Sequence, residues 1–216
     1  MDYRDERKQL IETAQEIYNS KLVVGTWGNV SVRIKEREQF LITPSGMDYC
    51  SLLTEDIVLM NVDGTIAEGK WKPSVEAPMH SRIYQERVDA GAIVHVHSPF
   101  ASVFAVANQS IPVILEETAQ IIGHEVQTAE YAACGSNKLA EGIVQTLGNG
   151  RAVLLAHHGL VGVGKDLSDA LKVCYIAEKT AQVALYSKLL GGAHVLPEED
   201  IKKLNHSFAS YGQKKE

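Results

Sequence analysis

The sequence contains few cysteines, and none is placed to build a disulfide or metal framework. Cys50, Cys134 and Cys174 are the three cysteines of the 216-residue chain, and no two of them form a CxxC pair. An odd number of widely separated cysteines disfavours a disulfide scaffold and cysteine-ligated zinc. We therefore expect a chain that folds in a reducing compartment, with a cytoplasmic location.

Long apolar runs and an excess of basic residues are also missing. No stretch approaches the roughly 20 apolar residues of a membrane-spanning helix, and the charged N-terminus has no apolar signal-peptide core. The formal net charge of −6 disfavours a nucleic-acid binder, whose contact surface is usually basic. We expect neither a membrane nor a nucleic-acid partner. An anionic substrate is still compatible with this charge, because backbone N–H groups can bind a phosphate locally.

Glycine patterns of nucleotide-binding loops are absent too. The chain has no GxxxxGK[ST] and no GxGxxG after a predicted strand, and Gly159, Gly162 and Gly164 follow one another in the wrong spacing. We therefore expect no nucleotide cofactor. With 45% hydrophobic and 22% charged residues, the composition is that of a soluble globular protein. A single domain over residues 1–216 is the simplest organisation.

The spacing of apolar residues predicts helices interleaved with short strands. Helical spacing occurs over 4–20, from about Val75 to Glu86, after Ser136, from Asp166 to about Leu190, and after Pro197. Alternating or continuous apolar runs predict strands near 30–34, 40–43, 57–61, 92–97 and 152–156. Because the early strands are joined by short turns, a largely antiparallel or mixed sheet covered by helices is favoured.

Histidines lie within one predicted strand and at the end of another, in a pattern that suits a metal ion. His95 and His97 are two residues apart in a strand, so both imidazoles point to the same face. His157 and His158 end another strand, and one of them would complete a three-histidine set. Three neutral imidazoles leave one zinc position open, as catalytic sites do. The alternative is that these are structural histidines satisfied by hydrogen bonds. No partner at ligand spacing exists for His80, His124, His194 and His206.

Glu76 and two glycine-containing turns are further candidates. Glu76 follows Pro73-Ser74 near a predicted helix start, where a carboxylate can act as general base or metal ligand, or simply favour the helix dipole. The turns at 25–29 (GTWGN) and 43–46 (TPSG) are rich in donors. Together they could bind a phosphate through N–H and hydroxyl groups, although each alone is an ordinary turn.

Taken together, these segments resemble the class II aldolase/adducin-like family. The resemblance rests on GTWGNVSVR at 25–33, LITPSGM at 41–47, KPSVE at 72–76, IVHVHSPFA at 93–101 and LLAHHGLVGVG at 154–164. It extends nearly end to end, to Tyr211-Gly212. It implies a three-layer α/β/α fold with a central, largely antiparallel sheet. It also implies a homotetramer with active sites at subunit interfaces.

The resemblance further implies roles for individual residues. Zinc, one per subunit, would be held by His95, His97 and His158, with Glu76 as the proton-transferring base that also touches the metal. Tyr211 matches a C-terminal tyrosine that assists catalysis. The implied reaction is reversible cleavage of a ketose 1-phosphate, such as L-fuculose 1-phosphate, to dihydroxyacetone phosphate and a short aldehyde. The residues implied in phosphate binding are Gly28, Asn29, Ser45, Gly46 and Ser74.

Three departures from the family pattern leave other reactions open. Val75 replaces a serine of the phosphate motif, and the bulky Trp27 either reshapes the pocket or packs outside it. Glu116 and Glu117 stand near the place of a family tyrosine, with Glu117 the closer match. A glutamate there suggests a sugar-phosphate dehydratase or decarboxylase, unless the two form a surface pair. A 4-epimerase ranks lower, and a metal-free interaction module ranks lowest because all the ligands are present.

Overall fold

The computed structural model describes residues 3–35 and 37–208, so the prediction for Tyr211 lies outside the described residues. The α-helices there are α1 (Arg4–Asn19), α2 (Ala77–Glu86), α3 (Pro99–Ala107), α4 (Glu116–Ile121), α5 (Asn137–Leu147), α6 (Leu167–Ser187) and α7 (Glu198–Phe208). The strands are β1 (Gly28–Ile34), β2 (Gln39–Ile42), β3 (Val58–Asn61), β4 (Ile66–Glu68), β5 (Ala92–Val96), β6 (Thr128–Ala129), β7 (Ala152–Leu155) and β8 (Gly159–Gly164).

All of these strands belong to one sheet, in the order β4-β3-β2-β1-β5-β8-β7-β6. Every neighbouring pair is antiparallel except β6 with β7, which is parallel. The predicted largely antiparallel sheet is therefore confirmed. Among the described residues, no helix combines the length and apolar character that a membrane span needs.

Helices cover both faces of the sheet, which gives three layers. The core on one face joins the strands to α1, α3 and α6, and the core on the other joins them to α2 and α5. Side chains of β5 alternate between these cores: Val94 and Val96 pack under α6, while Ile93 faces the α2 side. His95 shares the face of Ile93. The three-layer α/β/α prediction is confirmed.

Two local predictions need correction. The helix expected from about Val75 begins at Ala77, and Glu76 is its N-cap residue rather than part of its first turn. The segment after Gly159 was not predicted as a strand, yet it forms β8. Its glycines make room for α6, because a Cβ on Gly162 would lie 2.6 Å from the Cys174 Sγ. Glycine-rich sequence here reflects close packing of a helix, not a loop.

Candidate metal centre and active site

The four predicted metal-site residues come from three separate parts of the sheet and its connections. His95 lies in β5, and His97 follows one residue after the end of that strand. His158 lies in the turn between β7 and β8, and β8 pairs directly with β5. Glu76 approaches from the N-terminus of α2, on the same side of the sheet. Strand pairing thus brings together residues far apart in the chain.

Their ligand atoms converge on one point. The Nε2 of His95 lies 3.0 Å from the Nε2 of His97 and 3.1 Å from Oε2 of Glu76. The Nε2 of His158 lies 3.5 Å from Oε1 of Glu76, and all four ligand atoms lie within 4.8 Å of one another. Tetrahedral zinc with bonds of about 2.0–2.1 Å separates its ligands by roughly 3.3 Å. The donors are therefore spaced for a single small cation.

Of the two adjacent histidines, the structure brings only His158 to this cluster. His157 is exposed and has a left-handed backbone, with φ of 58°. Its ring instead lies edge-on to Tyr131, with 6.0 Å between the ring centroids. The backbone reversal between β7 and β8 sends consecutive side chains in different directions, so spacing alone left the choice open.

A backbone hydrogen bond orients the ring of His95. Its Nδ1 lies 3.0 Å from the Leu160 carbonyl oxygen, an acceptor, so Nδ1 carries a hydrogen and donates it. The Nε2 of His95 then faces the cluster. A fixed outer hydrogen bond of this kind sets the tautomer and the direction of a metal-binding imidazole.

A buried carboxylate dominates the electrostatics of the cluster. Burial alone would raise the pKa of Glu76, but the charge of His95 and hydrogen bonds from His95 and Asn29 hold that pKa well below its usual range. Burial opposes a charge on His95, yet the Glu76 carboxylate overrides it and raises the pKa of His95. Burial lowers the pKa of His97 to about 3 and that of His158 to about 4. At neutral pH the cluster thus holds an ionised carboxylate beside the neutral imidazoles of His97 and His158.

Gly159, which follows the histidine pair, must be a glycine because the structure leaves no room for a side chain there. A Cβ on Gly159 would lie 2.4 Å from the Val96 carbonyl oxygen and 3.1 Å from the His97 ring. Real Cβ atoms do not approach a backbone oxygen so closely. Any side chain at position 159 would therefore push on the strand that carries His95 and His97.

The cluster opens onto a cleft of about 480 Å³. Two loops that frame the cleft are joined by backbone hydrogen bonds, from Ser45 N–H to the Lys72 carbonyl (3.0 Å) and from Ser74 N–H to the Thr43 carbonyl (3.1 Å). These N–H groups are occupied, so an anion contact from either serine would have to use its hydroxyl. All the predicted phosphate-binding residues line the cleft: Gly28, Asn29, Ser45, Gly46 and Ser74.

Asn29 has contacts that the sequence did not suggest. Its Nδ2 lies 2.9 Å from Oε2 of Glu76, and its Oδ1 lies 2.5 Å from Nε2 of His80. His80 was set aside in the sequence because it has no partner at ligand spacing. The sequence signal that could have pointed to His80 was its position four residues after Glu76, because residues four apart lie on the same face of a helix.

Exposed apolar side chains line the mouth of the cleft. Trp27, Val75 and Tyr131 are each more than half exposed, and Trp27 lies edge-on to His97 with ring centroids 6.0 Å apart. Trp27 therefore shapes the cleft rather than packing outside it. Cys134 also lines it, and burial beside the Glu76 carboxylate raises the pKa of the Cys134 thiol to about 11. Tyr131 and Cys134 were not among the predicted site residues.

Glu117 does not join the cluster within one chain. It lies in α4, and its Oε1 is 2.5 Å from Nζ of Lys179 in α6. It is not among the residues that line the cleft, and the neighbouring Glu116 is exposed. A catalytic role for Glu117 stays a prediction.

Comparison with known proteins identifies the family. The model described as Class II Aldolase and Adducin N-terminal domain matches residues 8–185, which is most of the chain. The chain belongs to the class II aldolase and adducin family. This confirms the resemblance that the motifs suggested.

Individual relatives cover nearly the whole chain. A 5-deoxy-D-ribulose 1-phosphate aldolase from Bacillus thuringiensis serovar kurstaki is 35% identical over 208 residues, covering 96% of this chain and 97% of the relative. An L-fuculose phosphate aldolase from Escherichia coli (strain K12) is 36% identical over 206 residues, covering 95% and 94%. A solved L-fuculose 1-phosphate aldolase matches with a TM-score of 0.92 at 34% identity, covering 95% of this chain and 96% of its own.

These relationships establish what kind of enzyme this class II aldolase is. It is a lyase of a metal-dependent family, and it has a cluster of one glutamate and three histidines with the donors to hold a metal. The relatives carry two different substrate names. The family match therefore shows a lyase and leaves the exact reaction and the substrate to be argued from the cleft.

Proposed function

We propose that this class II aldolase binds one zinc ion per subunit and cleaves a ketose 1-phosphate reversibly to dihydroxyacetone phosphate and a short aldehyde. His95, His97 and His158 would hold the zinc. The observation that carries the proposal is the convergence of three imidazoles and the Glu76 carboxylate at the buried end of a cleft framed by donor-rich loops.

The donor set favours zinc over harder cations. Calcium and magnesium prefer oxygen ligands, whereas imidazole nitrogens suit zinc and similar transition metals. Three protein imidazoles would leave a zinc position open to substrate oxygens. When bound, zinc supplies Lewis-acid polarisation of the substrate carbonyl.

Glu76 is the general base in this proposal. Its Oε2 is occupied by Asn29 and faces His95, whereas its buried Oε1 has no hydrogen-bond partner among the described residues. An ionised carboxylate with one free oxygen can remove a proton from the carbon beside a carbonyl. In the synthesis direction, Glu76 takes that proton from dihydroxyacetone phosphate. In the cleavage direction, the hydroxyl of the future aldehyde carbon gives up its proton as the carbon–carbon bond breaks, and the new dihydroxyacetone phosphate carbon takes up one proton through Glu76, so that the two transfers balance.

The mouth of the cleft favours an aldehyde with an apolar end. Trp27, Val75 and Tyr131 present exposed apolar surface there, and covering such surface with an apolar substrate group is favourable. L-fuculose 1-phosphate and 5-deoxyribulose 1-phosphate both end in a methyl group. The names of the relatives support these two sugars as the first substrates to test.

The dehydratase or decarboxylase alternative gains no support from a single chain. That alternative uses Glu117 as a second acid–base group, and Glu117 is paired with Lys179 outside the cleft lining. With Glu76 as the only carboxylate in the cluster, the described residues favour the aldolase reaction.

We extend the proposal to a homotetramer with active sites at subunit interfaces. Exposed apolar side chains on α3, on α6 and just after α6 support a self-association surface. The residues of this surface are Val103, Val106, Val183, Tyr186, Leu189 and Leu190.

The reaction is tested with zinc-loaded protein and both sugar phosphates. Dihydroxyacetone phosphate is coupled to NADH oxidation by glycerol-3-phosphate dehydrogenase, and zinc is counted by mass spectrometry. We expect His95→Ala to lose zinc and on the order of a thousandfold in kcat/KM, as removal of a catalytic metal does. Glu76→Gln should lose comparable activity because the base is gone.

His157→Ala is the matched control for zinc binding, since His157 lines the cleft but is not part of the metal cluster. It should keep zinc. Retention of zinc and turnover by His95→Ala would overturn the metal assignment. Stoichiometric zinc with no product from either sugar would overturn the substrate assignment and leave the metal site standing.

A further inference from the structure

A chain of buried polar groups lies behind Glu76, away from the cleft. It runs from Tyr84 through Ser31 and His80 to Asn29, and then to the Glu76 carboxylate, and all five residues are less than 5% exposed. The successive contacts are Tyr84 Oη–Ser31 Oγ at 2.8 Å, Ser31 Oγ–His80 Nδ1 at 2.6 Å and His80 Nε2–Asn29 Oδ1 at 2.5 Å. Burying polar groups costs free energy unless each one has a hydrogen-bond partner.

We infer that His80 is a positioning residue that fixes the side-chain amide of Asn29 and, through it, decides which oxygen of Glu76 is free to act as base. The inference rests on the proposed role of Glu76. His80 is not itself one of the metal-cluster residues or of the residues that line the cleft, and its ring reaches them through Asn29.

The direction of every hydrogen bond follows from the carboxylate. An ionised Glu76 only accepts, so Asn29 must present its Nδ2 hydrogens to Oε2, 2.9 Å away. The Oδ1 of Asn29 then faces Nε2 of His80 and must receive a hydrogen from it.

The rest of the chain is fixed by the neutral state of His80. The contact with Asn29 places a hydrogen on Nε2, and complete burial lowers the pKa of His80, which favours a neutral ring without a second hydrogen. Nδ1 then accepts the Ser31 hydroxyl hydrogen, and Ser31 accepts the Tyr84 hydroxyl hydrogen. Each hydrogen has one position.

The consequence is a difference between the two oxygens of Glu76. Oε2 is held by Asn29, whereas Oε1 has no hydrogen-bond partner among the described residues and faces His158 at 3.5 Å. If His80 offered no hydrogen, the Asn29 amide could rotate and present Oδ1 to Oε2. Two acceptors would then oppose each other, and the carboxylate would lose its orientation.

The first test reads the tautomer of His80 directly and needs no substrate. Nitrogen NMR of histidine-labelled protein should show His80 neutral at pH 7, with its hydrogen on Nε2. Ser31→Ala removes the donor to Nδ1 and leaves Asn29 in place. In this variant His80 should keep its hydrogen on Nε2, and only the nitrogen chemical shift of Nδ1 should change, because the hydrogen bond from the serine hydroxyl is lost. A hydrogen on Nδ1, or a charged ring, in the unaltered protein would overturn the inference.

The second test compares two substitutions of His80. Solvent deuterium exchange into dihydroxyacetone phosphate alone reports the proton transfer by Glu76 without any aldehyde. We expect His80→Leu to lower the exchange kcat on the order of tenfold, part of the roughly 10²–10⁴ that a positioned base contributes, with KM within about twofold of the unaltered enzyme. His80→Gln keeps an amide N–H near the place of Nε2 and should restore most of kcat.

The outcomes separate positioning from bulk packing. Zinc content and thermal midpoint are measured on each variant. If both variants keep full exchange, or if both lose it equally while remaining folded and zinc-loaded, the positioning role is overturned. If His80→Leu does not fold, the two single variants His80→Gln and Asn29→Asp are compared instead. The carboxylate introduced at position 29 would oppose Glu76, and an unchanged kcat in Asn29→Asp would overturn the inference. Absence of exchange in the unaltered enzyme would instead refute the proposed function, and the tautomer result would still stand.

Discussion

At the residue scale, Gly159 shows how closely the metal cluster is packed. The backbone of β8 passes the end of β5 so closely that a Cβ at this position would meet the Val96 carbonyl oxygen at 2.4 Å. Val96 lies between His95 and His97, so strain at this point reaches both histidines.

We predict that Gly159→Ala weakens zinc binding and lowers the free energy of unfolding by about 2 kcal/mol, as overpacked core substitutions do. The matched control is Gly142→Ala in α5, where an added Cβ meets nothing within 4 Å and alanine favours the helix. Zinc affinity by competition with a coloured chelator and urea unfolding check both variants. Equal behaviour of the two would contradict the packing argument.

Val75 carries a second prediction at this scale. It is exposed and lines the cleft beside Ser74, at the position where the family resemblance implies a serine. Val75→Ser should lower the inhibition constant of inorganic phosphate roughly fivefold, since one hydrogen bond to an anion contributes about 1 kcal/mol or more. Val75→Ala removes the same apolar bulk without adding a hydroxyl. Identical constants for the two variants would show that position 75 does not contact the phosphate.

At the element scale, the long helix α6 supports the strands that carry the cluster. It packs on β5 and β8, and the glycines of β8 allow the close approach. Its first turn is capped by Asp166, whose side chain accepts a hydrogen bond from the Asp169 N–H at 2.8 Å. The sequence predicted a helix from Asp166, and the structure has α6 beginning directly after Asp166.

We predict that Asp166→Ala lowers the free energy of unfolding by about 1 kcal/mol, the usual cost of losing an N-cap. Asp166→Asn should retain most of the stability because asparagine caps equally well. Urea unfolding measures both, and zinc content should stay unchanged because Asp166 lies outside the cluster. A loss in the asparagine variant as large as in the alanine variant would mean that charge, not capping, matters here.

At the scale of the whole molecule, buried neutral histidines link folding to pH. Burial lowers the pKa of His80 to about 3, of His97 to about 3 and of His158 to about 4. A lowered folded pKa means that stability is full above the unfolded value of about 6.5 and is lost as the pH falls toward the folded value. His95 acts in the opposite sense, because Glu76 raises its pKa. Its contribution is present below about 6.5 and lost as the pH rises through its folded value.

We therefore predict that the free energy of unfolding of chelator-treated protein falls between about pH 6.5 and pH 4.5, with His80 alone contributing up to about 1.4 kcal/mol per pH unit. Urea unfolding across this range measures the slope. His80→Gln should have a shallower slope, since it removes one of the groups that take up a proton on unfolding. A stability that is flat or rises toward acid would contradict the linkage.

The proposed assembly gives a prediction at the same scale. Leu189 and Leu190 are the most exposed residues of the proposed self-association surface, at 83% and 91%. Leu190→Glu should dissociate the proposed homotetramer, as measured by light scattering, whereas Val88→Glu should not, because this equally exposed valine lies beside the start of α6, at the opposite end of that helix. A monomer in the unaltered protein would refute the assembly.

Much of the fold and of the candidate site could be predicted because the deciding signals are local. Alternation along β1 and β5, the helical spacing of α1 and the capping residues Ser136 and Asp166 each act within a few residues. Strand β8 was not predicted, because its glycines make room for a helix that comes from another part of the chain and packs against them.

The sequence by itself determined the family, the antiparallel sheet and the same-face placement of His95 and His97, since these follow from motifs and from the two-residue period of a strand. The spacing left His157 and His158 open and the family resemblance implied His158, which is the one that the structure brings to the cluster. Only the tertiary structure decided that Glu117 pairs with Lys179. Only the structure revealed His80 behind Asn29. These choices depend on where distant strands and helices bring side chains together, and no spacing along the chain encodes that distance.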